Sequence, residues 1–402
     1  MKISQNAKKA VMLGSLCSVS YLAVYIARNI LGAVTPKMLE VGYGEGFIGT
    51  VSSVYFVCYA IGQLINGAIG DKIHAKWMIC TGLLGAGITN IIFSFVSATP
   101  TLAITAYGAT GFFLSMIYGP MTKVVSENVE PIYATRCSLG YTFASFFGSP
   151  SAGLLAAFLA WQRVFEVSSI ILFLMSVVAF CLFTVFERRG LVSYGRYKPR
   201  EKGVKNIGEL VRRDIIKFTV ISILTGIVRT SVVFWLPTYI NQHLGFAAET
   251  SATLFTVATL IISFTAFIAV FIYERLGNDI NKTVLIMFVS AAVFFALTYF
   301  VDAPVFNLIF IVLAIMSSNG AASMLWSRYC PSLRDTGMVS GATGFLDFVS
   351  YMSAAAANLL FANAVSSLGW GNLILVWLDL MLVGVIVALP YKYVLNKLKG
   401  QR

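Results

Sequence analysis

Residues 187–213 read ERRGLVSYGRYKPREKGVKNIGELVRR, the one long hydrophilic stretch in a chain of 402 residues. Elsewhere the balance is reversed. Over the whole chain 58% of residues are hydrophobic and 11% charged, with a mean hydropathy of +0.82. A soluble domain carries roughly a quarter charged residues, and 17 acids with 29 bases are too few to clothe a water-soluble surface of this length. A soluble enzyme and a disordered binder are both excluded. Composition alone describes an all-α integral membrane protein.

A helix needs about 20 apolar residues to cross the hydrocarbon core. Twelve segments meet that length: 11–34, 46–69, 77–96, 101–125, 136–160, 163–186, 214–241, 250–273, 282–301, 304–327, 338–363 and 370–394. Six precede the hydrophilic stretch and six follow it. The expected organisation is a first half over 1–186, a central cytoplasmic loop over 187–213 and a second half over 214–402.

The net charge of +12 does not indicate nucleic acid, because the bases cluster between apolar runs instead of lining one face. With the N-terminus inside, the outward loops carry only Lys37 and Arg163. Lys72, Lys76, Arg188, Arg189, Arg275, Lys282, Lys397, Lys399 and Arg402 then fall on the inner side, as the positive-inside rule requires. Both termini are expected in the cytoplasm, in a multi-pass protein of the cell (inner) membrane. The apolar run after MKISQNAKKA is read as a retained first span. Cys17, Cys58, Cys80, Cys137, Cys181 and Cys330 show no metal spacing and read as buried small hydrophobes. His74 and His243 fall in expected loops, so neither a metal nor a cofactor is expected.

An internal repeat supports the halving. Arg28 in the first span is followed eight residues later by Pro36 and then by Gly42-Tyr43. Arg229 in the seventh is followed eight residues later by Pro237 and then by Gly245-Phe246. Trp161 and Trp370 open the sixth and twelfth spans alike. Parallel six-span halves resemble the major facilitator fold, in which the substrate site lies between halves near the midplane and rocking gives alternating access.

The two arginines are the strongest single feature. An arginine at a helix centre costs roughly 2.5–3.5 kcal/mol on insertion scales, and helix packing does not require one. A guanidinium presents a fork of donors that matches phosphate or carboxylate oxygens, so Arg28 and Arg229 are read as an anion clamp. The bland alternatives are snorkelling of Arg28 or pairing of either with an internal acid. Asp347, in the eleventh span with Tyr351 one turn on, either reads substrate hydroxyls, carries a coupling proton or neutralises an arginine; Asp379 in the twelfth is the weaker candidate. Tyr21, Tyr25 and Arg28 share one helical face, as do Tyr59, Gln63 and Asn66, and Tyr141 and Ser145. Singly each suggests helix–helix hydrogen bonding; together they suggest a pocket lining. Between spans two and three, Gly67 to Lys76 contains Asp71 and Lys72 and resembles the loop signature of the major facilitator superfamily, where it acts at the inner gate. The bland reading of that segment is ordinary topogenic charge.

Tyr25-Ile-Ala-Arg28-Asn29 and Val228-Arg229 through Trp235-Leu-Pro237-Thr238-Tyr239 resemble the organophosphate:phosphate antiporter family, which includes glycerol-3-phosphate and hexose-phosphate transporters. Tyr59 to Gly67 and Tyr118-Gly119-Pro120 to Lys123 are similar to it too. The resemblance implies that Arg28 and Arg229 hold phosphate, with Tyr25, Asn29, Tyr59, Gln63, Tyr118 and Asp347 around the rest of the molecule. The departures are Asn29 and Gln63 where many members have lysine, and Ala144-Ser145 where the glycerol-phosphate members have a histidine. They remove secondary positive charge, and leave open a larger sugar phosphate or a less charged anion.

The sequence therefore leads to a monomeric secondary transporter in the lipid bilayer, moving a small anionic organic phosphate in exchange for inorganic phosphate. A proton-coupled carrier of a carboxylate, with Asp347 titrating, is the nearest alternative, and a transporter-like sugar-phosphate sensor a further one. No nucleophile–base pair, metal cluster or nucleotide loop suggests an enzyme, and no nucleic-acid partner is expected.

Overall fold

The computed structural model describes residues 5–70, 73–194, 207–333 and 339–389. Among these residues there are twelve long helices and no strand. α1 (Gln5–Glu40), α2 (Glu45–Gly70), α3 (Ala75–Val96), α4 (Pro100–Asn128), α5 (Pro131–Phe158) and α6 (Trp161–Arg188) follow through short turns. After a short helix at Ile207–Arg212 come α7 (Ile215–Gln242), α8 (Ala248–Arg275), α9 (Ile280–Phe300) and α10 (Pro304–Tyr329). The final run, Val339–Ala388, breaks at Gly369, whose φ of 76° and ψ of 169° are not helical. That break separates α11 (339–368) from α12 (370–388), so Trp161 and Trp370 each open a helix, as the sequence suggested.

The helices overrun the apolar segments that announce them. The segment 11–34 lies inside a helix of 36 residues, because the backbone ladder continues where side chains turn polar and hydropathy marks only the middle. Ten stretches are long and apolar enough to cross a membrane. One of them, Ala342–Ala388, holds both α11 and α12, and α5 contributes only the shorter apolar stretch Ala144–Phe158. The N-terminal part of α5, with Tyr133, Thr135, Arg136 and Ser138, is too polar to qualify. Within 187–213 the chain is not wholly irregular, since Ile207–Arg212 is helical.

The repeat seen in the sequence is also a repeat of backbone. Gly42 and Gly245 adopt φ of 96° and 77°, the left-handed conformation that ends a helix and that glycine enters without a Cβ clash. Tyr43 N then donates to Met38 O at 3.1 Å, and Phe246 N to Ile240 O at 3.3 Å.

The chain divides into two compact units. The first gathers α1–α6 with Phe234–Leu260 and Ala355–Asn363. In it α1 packs on α5, α2 on α4, and α3 on both α4 and α6. The α1–α5 approach is close: a Cβ on Gly148 would run into Tyr25, and one on Gly14 would lie 2.7 Å from Cys137 Sγ. The far parts of α7, α8 and α11 join this unit through small and polar side chains. Gly32 faces Phe234, Gly49 faces Ala362, and Asn358 Nδ2 donates to Ser52 Oγ at 2.8 Å with both residues buried. Lys37 reaches the Leu159 carbonyl at 3.1 Å and Glu249 at 3.6 Å.

The second unit holds α7 as far as Val233, Ile261–Ala354 and the chain from Ala364. Here α9 and the near part of α8 pack on α10. Gly384 and Trp377 of α12 meet Phe288 and Phe295 of α9. α7 is laced to α11 by Ser222 Oγ donating to Leu346 O at 2.8 Å, by Gly226 against Ser350, and by Ser231 Oγ donating to Ala354 O at 2.8 Å. On α11 these contacts fall every four residues, but on α7 the last step is five. Residues Ile227–Val232 form a π-helical turn, whose i→i+5 register returns Ser231 to the face of Gly226.

Two of the six cysteines depart from the expected burial. Cys181 is exposed on α6 and Cys58 half-buried, while Cys17, Cys80, Cys137 and Cys330 are buried. An apolar outer face costs nothing against lipid, so an apolar run does not tell which of its faces is inward.

Gly148→Val forces α1 and α5 apart and should destabilise by about 1–3 kcal/mol. A Cβ at Gly119 has nothing within 4 Å, so Gly119→Ala should be neutral or slightly stabilising. Thermal unfolding of both variants in detergent checks the contrast.

Candidate functional site

The first unit builds an aromatic cage around Arg28. Its Cζ lies 5.3 Å from the Tyr25 ring centre, 5.3 Å from Tyr59 and 5.4 Å from Phe56. Tyr25 is one turn before Arg28 on α1, while Phe56 and Tyr59 are three apart on one face of α2. Three ring faces offer negative quadrupole to the half-buried cation, each worth about 0.5–2 kcal/mol. The cage is braced from outside. Tyr21 meets Tyr25 edge-on at 4.9 Å and Tyr118 of α4 at 5.4 Å, and Tyr55 stacks with Tyr59 at 6.2 Å. Rings satisfy the flat faces of a guanidinium and do not use the in-plane N–H fork that binds oxyanions.

Arg28, Tyr21, Tyr25, Tyr59 and Tyr118 are thus brought together, with Phe56, which the sequence reading missed. Its three-residue offset from Tyr59 was the available signal. Asn29 is adjacent but turns its amide inward, donating from Nδ2 to the Tyr25 carbonyl at 2.6 Å. Gln63, one turn beyond Tyr59, is half-buried. Asn66 on the same face is buried and donates to Ser115 Oγ of α4 at 2.7 Å, the helix–helix bond that was its plainer reading. Tyr141 is buried among Cys17, Cys137 and Tyr118. Cys17 lies eleven positions from Arg28 on α1, about 16 Å along the axis, so the structure does not gather Tyr141 into the cage. Ser145 is half-buried, one turn further along α5.

The second unit treats Arg229 in a related way. It sits on the π-helical turn of α7, and its Cζ is 6.0 Å from the ring centre of Trp326. Trp326 itself belongs to a second π-helical turn, Leu325–Tyr329, at the end of α10. Insertions of this kind recur at functional sites because they re-aim side chains within an otherwise regular helix. On α11, Asp347 is half-buried and Tyr351 buried. Both are offset by one residue from Leu346, Ser350 and Ala354, which face α7, so they stand about 100° around the helix from that seam. Asp379 is exposed on α12.

Asp71 and Lys72 lie outside the described residues. Next to them, the second base of that loop is fully committed within the first unit. Lys76, 7% exposed, pairs with Glu187 Oε2 of α6 at 3.0 Å. Tyr194 donates to Glu187 Oε1 at 2.8 Å, and His74 stacks flat on Tyr194 at 4.3 Å. Burial, reinforced by the hydrogen bond to Glu187 and its charge, raises the Tyr194 phenol above its ordinary range. The cluster fastens the start of the central loop to the base of α3 and α6. Among the described residues no group of three His, Cys, Asp or Glu is placed to hold a metal ion.

The pattern of the Major Facilitator Superfamily matches residues 17–358. The Glycerol-3-phosphate transporter of Bacillus subtilis (strain 168) is 21% identical, over 93% of this chain and 90% of that protein. The Membrane sensor protein UhpC of Escherichia coli (strain K12) is 20% identical, over 92% and 89%. Among solved structures, the bacterial homolog of the human lysosomal transporter Spinster, inward-facing and unoccupied, shares the fold with a TM-score of 0.75. It covers 96% of this chain and 97% of its own at 9% identity.

Glu187→Gln leaves the Lys76 ammonium buried without its counter-charge and should cost about 2 kcal/mol. Adding Lys76→Met should recover most of that loss. Melting temperatures of the single and double variants test the pairing.

Proposed function

The chain belongs to the Major Facilitator Superfamily, and from that premise we propose that it is a secondary transporter of an organic phosphate, exchanging it for inorganic phosphate by alternating access. It is a multi-pass membrane protein of a transporter family and not an enzyme. The proposed arrangement is two six-helix halves, 1–186 and 214–402, joined by the cytoplasmic loop 187–213, with both termini in the cytoplasm. The observation that carries the reading is the treatment of the two span arginines. Each occupies the same place in its half, Arg28 among three rings and Arg229 beside Trp326.

In this reading both guanidiniums engage one phosphate through their in-plane donors. The aromatic faces flank them and leave the edge of a guanidinium for charge-assisted hydrogen bonds. Tyr21, Tyr25, Tyr59, Gln63, Tyr118, Ser145, Asp347 and Tyr351 line the path of the remaining molecule. Asp71 and Lys72 act at the inner gate. The relative named for glycerol-3-phosphate transport matches over most of its length, which supports a phosphate ester as ligand, and the relative named as a membrane sensor keeps the sensor reading alongside. The sensor reading differs in one respect: a sensor binds without net movement.

Exchange in liposomes loaded with inorganic phosphate tests the proposal. Saturable uptake of a phosphate ester is expected, and its absence for every ester tried overturns the reading. Arg28→Lys and Arg229→Lys should each weaken substrate binding about ten- to a hundred-fold although charge is kept, because an ammonium cannot reproduce the fork. The double variant should be scarcely worse than either single one, since both groups act on one ligand. Asp347→Asn separates coupling from recognition: loss of pH-driven accumulation with exchange intact indicates a proton carrier.

A further inference from the structure

A third guanidinium is built into the second unit, on the π-helical turn that carries Trp326. Arg328 lies within the apolar helix Pro304–Tyr329, stacked at 4.9 Å on the ring of Tyr273 from α8. Its Nε is shut off from solvent and has no hydrogen-bond partner. Among the described residues no carboxylate forms an ion pair with it. The residue as a whole is half-buried, so its Nε is a donor held out of solvent without a partner while the rest of the guanidinium edge is accessible.

Its position is not slack. Trp326, two residues before, stands beside Arg229. Tyr329, the next residue, stacks on Phe218 of α7 at 3.6 Å and donates to the Arg213 carbonyl at 3.0 Å. The turn is therefore pinned on both sides, and the π register holds Arg328 toward α8 while Trp326 addresses α7. Among the described residues there are two π-helical turns, Ile227–Val232 and Leu325–Tyr329. Each carries one arginine, held against one aromatic ring.

We propose that Arg328 is a second anion-binding position of the second unit, whose ligand is a phosphate oxyanion. Tyr273 covers one face of the guanidinium and leaves its edge donors for the ligand. With the orientation proposed above, α10 ends at the cytoplasmic side, so Arg328 meets phosphate at the inner mouth before or after Arg229 holds it. This role rests on the transport reading; the binding itself does not. The phosphate is either the free anion or the headgroup of an anionic lipid, the same chemistry from two sources.

The test follows modification of Arg328 by phenylglyoxal, read by peptide mass spectrometry, in the full-length protein. It is run in phosphatidylcholine nanodiscs with and without excess inorganic phosphate, and in phosphatidylglycerol nanodiscs without it. Inorganic phosphate should slow modification at Arg328 several-fold, and should still do so in Arg229→Lys. Arg328→Gln should lower phosphate affinity about ten-fold. Protection in phosphatidylglycerol alone supports the position and assigns it to a headgroup. Equal rates in all three conditions overturn the proposal, as does unchanged phosphate and lipid binding in Arg328→Gln, even if its melting temperature falls. Protection of Arg328 without ester uptake by the wild type sinks the transport reading and leaves this site. Uptake with an unprotected Arg328 does the reverse.

Discussion

A guanidinium inside a membrane span must be surrounded before it can be tolerated, and much of the described structure is arranged around that requirement. Aromatic faces are one way to surround it. They lower the energy of the cation without consuming its hydrogen-bond donors. Arg28 among Tyr25, Phe56 and Tyr59, Arg229 beside Trp326 and Arg328 on Tyr273 are three instances of one solution.

Holding rings at those distances demands that helices approach closely, which in lipid depends on small residues and interhelical hydrogen bonds more than on apolar burial. Gly148 lets α5 reach the backbone of α1 at Tyr25 itself. Gly226 and the serines at 222 and 231 do the same for α7 and α11 around Arg229. The π-helical turn links the two demands. It keeps Ser231 on the seam while Arg229, within the same turn, is carried off it.

Much of this was legible in the chain. Hydropathy found all twelve helices, and the Arg–Pro–Gly repeat anticipated the paired left-handed glycines at 42 and 245. Helical spacing joined Tyr21 and Tyr25 to Arg28. The partners contributed by other helices were less visible. Phe56 and Trp326 look like ordinary apolar residues in apolar runs, and Tyr141 shares the composition of a pocket residue while lying near Cys17. Arg328 stands at the end of its apolar run, where a basic residue is usually topogenic and sequence alone does not single it out.

The sequence by itself determined the number and order of the long helices, the hydrophilic stretch at 187–213 and the presence of two arginines that packing does not need. These follow from local quantities: transfer energy summed over about 20 residues and side-chain identity at fixed helical intervals. Tertiary structure alone decided which ring stands over which guanidinium, that Asn29 spends its amide on its own helix, and that Lys76 is bound to Glu187. The reason is that every apolar residue is acceptable both to lipid and to a neighbouring helix. Hydrophobicity therefore places a residue in the membrane without assigning its face, and only close contact between helices distinguishes the two.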